Sequence, residues 1–172
     1  MPSGNSGTPS YRSLPILPNV LAALNEARKK CKELSHRFVT PHILLALLEL
    51  PDSEAAICFD QTRPGLAEEW RYLLRVYMER ALKGDFGEFP DFLEFEWDHR
   101  RDSGLGLQLA WLDGQPAVDE LYLLLGILEN RGRSKTRREL EEYLGTEDFD
   151  QLRQITSERA RARDLGSLLP PP

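Results

Sequence analysis

One phrase occurs twice in this chain, and a duplicated helical unit narrows the possible folds more than any other feature. Pro41-His42-Ile43-Leu44-Leu45-Ala46-Leu47-Leu48-Glu49 returns as Leu121-Tyr122-Leu123-Leu124-Leu125-Gly126-Ile127-Leu128-Glu129. Leucines, one small residue and the closing glutamate keep their offsets, and each copy follows a Val and a capping-type residue. A repeated helical unit points to two similar subdomains packed on each other. Neither copy shows the clean one-sided stripe of a surface helix, so each is expected to run through the middle of its own half.

The flanking residues divide the chain into helices. Val20, Leu24, Ala27, Cys31 and Leu34 form a stripe of helical period behind Asn19, a candidate N-cap. Thr40-Pro41 opens the second helix, as Thr suits an N-cap and Pro the first helical position. Ser53 is placed to cap a short third helix, and Pro64-Gly65 precedes a long fourth carrying Trp70, Leu73, Leu74 and Tyr77. A fifth helix is expected over residues 99–112. Asp119 caps the second copy of the phrase. Thr136-Arg137-Arg138-Glu139 has the form of a capping box, and Gly145 stands where a left-handed C-cap belongs. A last helix is expected near residues 148–163, burying Phe149, Leu152 and Ile155.

The expected fold is therefore all-α, with two tandem pseudo-repeated four-helix subdomains at 16–83 and 98–163. Residues 1–15 and 164–172 read as disordered from their Ser, Gly and Pro content. Residues 84–97 read as an acidic, aromatic linker.

Composition excludes several functions. A formal charge of −6 over 172 residues opposes general binding to nucleic acid, which needs positive surface. The only cysteines, Cys31 and Cys58, form no CxxC and read as reduced, buried thiols in a cytoplasmic protein. No apolar stretch reaches the length of a membrane span. His36 and His42 have no third ligand at helical spacing and read as structural residues, so neither a metal nor a cofactor is expected. No nucleophile elbow, Walker loop or dinucleotide fingerprint is present, so no enzyme is expected.

Two stretches stand as candidate binding surfaces. Arg131, Arg133, Lys135, Arg137 and Arg138 form a basic run in which the last two oppose a helix dipole. It reads either as a solvated loop or as a site for an anion or regulatory ligand. Phe86, Phe89 and Phe92, with Phe95 and Trp97 among carboxylates, read either as a binding surface or as a staple between the halves. A small hydrolase hidden in the all-α frame is the least supported alternative.

Both copies resemble the Clp amino-terminal repeat domain, whose pattern is approximately A-x-x-L-G-H-x-x-[VI]-G-T-E-H-[IL]-L-L-G-L-[LI]. The first copy keeps Leu34, His36, Val39, Thr40, His42 and the leucine run, with one residue fewer before the Thr. The second keeps Gly114, Val118 and the run Leu124 to Leu128, with Gly126 at the small position and Tyr122 in place of the His. The resemblance covers about residues 16 to 163. It implies a free-standing, non-catalytic interaction module of protein quality control. Its partner would be a substrate polypeptide, an adaptor or a Clp ATPase, with no nucleic acid and no membrane involved. In some family members the Glu of T-E-H contacts phosphoarginine. Pro41 and Leu121 stand at those positions here, and neither side chain can accept from a guanidinium, so that activity does not carry over.

Overall fold

The computed structural model describes residues 14–34, 38–82 (backbone only for 80–82), 104–130 and 134–171. Regular structure among them is helical, save one isolated parallel bridge between Ile16 and Val118. None of their helices is long and apolar enough to cross a membrane.

Helix α1 (Pro18–Glu33) starts with Pro18 in its first turn after Leu17, without a side-chain cap, so the cap expected at Asn19 lies inside the helix. Proline needs no acceptor for an N–H at this position, which removes part of the need for a cap. α2 (Thr40–Glu49) likewise starts one residue early. Thr40 is its first residue rather than its cap, and Val39 sits at the N-cap. The His42 ring does the capping instead, its Nδ1 accepting the Val39 N–H at 3.2 Å. All of α2 is buried except Ala46 and Glu49.

α3 (Glu54–Thr62) is capped as expected: Ser53 Oγ accepts the Ala56 N–H at 3.0 Å and donates to the Leu47 carbonyl at 2.6 Å. α4 (Leu66–Leu82) follows the Pro64-Gly65 turn. α5 spans 104–112, and residues 99–103 of the expected fifth helix lie outside the described residues. α6 (Glu120–Glu129) is buried at every position but Glu129, and Asp119 Oδ1 accepts the Tyr122 N–H at 3.0 Å.

The capping box expected at Thr136 is displaced. α7 (Lys135–Leu144) is capped by Ser134, whose Oγ accepts the Arg137 N–H at 3.2 Å, while Thr136 is buried in the first turn. Gly145 at φ +82° ends α7, and its N–H reaches the Glu141 carbonyl at 2.8 Å. A side chain rarely tolerates that backbone angle. α8 (Thr146–Ala162) starts at once, two residues before its expected start, burying Phe149 and Leu152 but only part of Ile155.

α2 and α6 touch at the centre. α1, α3 and α4 surround α2, while α7 and α8 pack on α6, and α8 also lies along α3. One continuous apolar core holds residues from both halves, including Leu44, Leu47, Phe59, Leu124, Leu128 and Phe149. Each such side chain contributes about 2 kcal/mol on burial, so the halves stabilise each other. Polar ties cross the same boundary: Arg63 pairs with Asp148 at 2.9 Å and Arg159 with Glu54 at 2.6 Å. α5 comes close enough to α6 that a Cβ on Gly106 would stand 2.5 Å from the Tyr122 carbonyl oxygen.

The ends extend further than composition suggests. The Pro15 carbonyl accepts the Val118 N–H at 2.9 Å, and the Val118 carbonyl accepts from Leu17 at 2.9 Å. Residues 164–171, expected to be a disordered tail, continue along the body. Leu165 is fully buried and Leu169 packs on the core.

Candidate functional site

α4 and α7 lie far apart in sequence and leave a cleft of about 210 Å³ between them. Trp70, Leu73, Leu74 and Tyr77 form its α4 wall, Thr136, Glu139 and Tyr143 its α7 wall, with Pro41 at one end. The walls follow from helical spacing. Trp70 and Leu74 lie one turn apart, as do Leu73 and Tyr77, so α4 carries an apolar face wider than core packing alone uses. Trp70 and Leu74 are buried, whereas Leu73 remains 40% exposed. On α7 the core stripe is Leu140 and Leu144, and Tyr143 stands beside it, 43% exposed.

The Tyr143 ring meets Trp70 edge-on, with centroids 5.4 Å apart and planes at 85°. Its hydroxyl donates to Glu69 Oε2 at 2.7 Å, which is the first cause raising its pKa above the ordinary tyrosine value. Burial raises the Glu139 carboxyl, with Lys135 opposing that shift. It also raises the Tyr77 phenol, assisted by the nearby Glu139 charge. Trp70 Nε1 is buried and has no hydrogen-bond acceptor among the described residues. An unpaired buried donor costs about 1–3 kcal/mol, so this indole gains whenever an acceptor comes within reach.

A second concave surface, of about 310 Å³, lies between α1 and α2. Ala27, Cys31 and Leu34 form one side and Leu45 and Ala46 the other, with Met78 of α4 also lining it. Its charged members are Glu26, Lys30 and Glu49.

The residues expected from sequence to bind partners fare unequally. Phe86, Phe89, Phe92, Arg131 and Arg133 lie outside the described residues, as do His36 and His99. Arg137 is tied into the fold through two of its guanidinium nitrogens. Its Nε donates to the Leu128 carbonyl at 2.9 Å, its Nη1 to Glu141 at 3.0 Å, and its guanidinium lies 4.9 Å from the Phe149 ring centre. Arg138 is exposed on the same turn.

Of the repeated-motif positions described, Thr40, His42, Asp119, Tyr122 and Gly126 are buried, and His42 and Tyr122 do different work in the two copies. His42 caps α2 and stacks on Phe38, with ring centres 6.0 Å apart. Tyr122 instead donates its hydroxyl to Asp113 at 2.9 Å and accepts from Gln115 at 3.2 Å. Burial, then the Asp113 bond, pushes its pKa up to about 12. Gly126 is buried in α6. Asp119, its pKa raised from the ordinary aspartate value by burial, pairs with Arg163 at 3.0 Å, and Arg163 also meets Glu120 at 3.1 Å.

Sequence reasoning did not find the α4–α7 cleft. The available signals were the second apolar stripe on α4 and an aromatic residue beside the core stripe of α7. Among the described residues no three His, Cys, Asp or Glu side chains are grouped to hold a metal. Comparison with known proteins finds no match, whether to a family model, a curated sequence or a solved structure.

Proposed function

We propose that this chain is a non-catalytic protein-interaction module similar to the Clp amino-terminal domains, with α1–α4 and α5–α8 as its two tandem four-helix subdomains. The repeated phrase on α2 and α6 supports that division. So do the lengths of the central and final helices, 10 and 17 residues in each half. The partner is a substrate polypeptide, an adaptor or a Clp ATPase, and the surface is the cleft between α4 and α7.

The observation that carries this reading is the pairing of Trp70 and Tyr143 across the proposed halves, the Trp70 N–H having no acceptor among the described residues. Aromatic anchors in a partly dry cleft supply most of the energy in small interfaces. The anion reading is weaker, since Arg137 already uses its Nε and Nη1 inside the fold.

The test is capture of a Clp ATPase by the full chain, compared with Leu73→Asp and Tyr143→Ala. Both sites are partly exposed, so the fold should tolerate the changes. The expected result is retention by the wild type and loss in both variants with melting curves retained. Equal capture by the wild type and both variants, or no interaction with any Clp component, refutes it.

A further inference from the structure

We propose that the groove between α1 and α2 receives one amphipathic helix of a partner polypeptide, laid lengthwise along α1. This surface shares no lining residue with the α4–α7 cleft, and the proposal does not depend on the function assigned there.

The apolar stripe of α1 is covered at one end and open at the other. Val20 is fully buried in the core, whereas Ala27, Cys31 and Leu34 face the groove and Leu34 is 52% exposed. A stripe that continues past its own core implies something further to pack against.

The groove's shape selects a helix. Its α1 side runs from Ala23 to Leu34, about three turns and about 16 Å. Its α2 side, from His42 to Glu49, follows the same one-turn spacing. Two helix surfaces side by side leave a channel into which the side-chain ridge of a third helix fits. Ala23, Ala27 and Ala46 keep the walls low, so an incoming backbone can approach closely.

Charge fixes the kind of helix. Glu26 and Lys30 are one turn apart on α1, the spacing at which opposite charges usually pair. Neither side chain forms an ion pair or hydrogen bond with the described residues, whereas Glu49 is held by Arg75 at 2.9 Å. A partner helix with one basic and one acidic residue a turn apart, flanking leucine-type side chains, satisfies both free charges.

The test uses the full chain and synthetic helical peptides of about four turns. Each has Leu on one face and a Lys/Glu pair one turn apart, made in both orders, plus a copy broken by a central Pro. Binding is read by fluorescence anisotropy and located by backbone amide shifts. One charge order should bind at least about threefold tighter, from the worth of a solvent-exposed pair. The double variant Glu26→Lys/Lys30→Glu, confined to the surface, should reverse that preference. Ala46→Trp should weaken binding about tenfold or more, with shifts confined to α1 and α2 in the wild type.

The proposal is overturned if the Pro-broken peptide binds equally well or no peptide binds. It also fails if the charge preference does not reverse. Contacts in the free chain from residues 83–103, or from a second copy, to Ala27 and Ala46 would likewise overturn it by showing the groove already filled.

Discussion

Replacing Gly106 by Ala should destabilise this protein, although alanine is the better helix former. Inside a helix the exchange ordinarily gains about 1 kcal/mol from backbone entropy. At Gly106 the new Cβ would lie 2.5 Å from the Tyr122 carbonyl oxygen and 3.2 Å from the Leu123 Cα. Both obstacles are backbone atoms of α6, which is buried along nearly its whole length, so no flexible side chain can swing aside. Ordinary contact would require α5 to retreat by about 1 Å, opening voids along the α5–α6 seam. Overpacking costs about 1–3 kcal/mol, and because both obstacles here are backbone the cost falls in the upper part of that range, about 2–3 kcal/mol. Setting this against the propensity gain leaves a net loss of about 1–2 kcal/mol.

Gly104 provides an internal control, because a Cβ there meets nothing within 4 Å. Gly104→Ala should be neutral or stabilising by up to about 1 kcal/mol. Urea denaturation of the two variants and the wild type reads the difference directly, as a change in midpoint at constant slope. For a chain of this size the Gly106→Ala loss corresponds to a fall of about 2–8 °C in Tm. If Gly106→Ala matches or exceeds the wild type, the close approach of α5 to α6 is not as described and the packing argument fails.

Three further outcomes follow from named side chains. Arg137→Met should cost about 2 kcal/mol by leaving the Leu128 carbonyl and Glu141 without their donor, measured by urea melting. A stable variant that instead loses anion binding would restore the ligand role. Arg163→Ala should cost about 2 kcal/mol near neutral pH by stripping Asp119 and Glu120 of their cation. Burial already raises the Asp119 pKa, so its native carboxyl holds a proton more tightly than the unfolded one and favours folding at low pH. The deficit should therefore shrink as pH falls toward the carboxylate range, and a pH-independent deficit would contradict it. Cys58, fully buried with its thiol pushed up to about 11, should resist a thiol reagent at pH 8 until the chain unfolds, reacting after Cys31, which is also buried but lines the groove between α1 and α2. Mass-mapped labelling decides the order.

The helical order was legible because α2 and α6 are apolar on every side and punctuated by turn residues. Their caps were less so. Thr40 is by type a better cap than Val39, yet the backward bond from His42 sets the start of α2. Ser134 and Thr136 are both capping residues two positions apart, and only the buried side of α7 chooses between them. Residues 164–171 look disordered by composition, but Leu165 finds a slot in a core that local sequence does not reveal. The α4–α7 cleft joins residues some seventy positions apart: Tyr143 bonds Glu69 and meets Trp70 edge-on. No local period encodes such a meeting.

The most direct test of the interaction-module reading is site-specific photocrosslinking from position 73 in native cells, with the captured proteins identified by mass spectrometry. The expected product is a Clp ATPase, or its adaptor, that disappears when Tyr143→Ala is combined with the probe. A folded chain that crosslinks to no Clp component, or captures one equally well with the cleft altered, would contradict it.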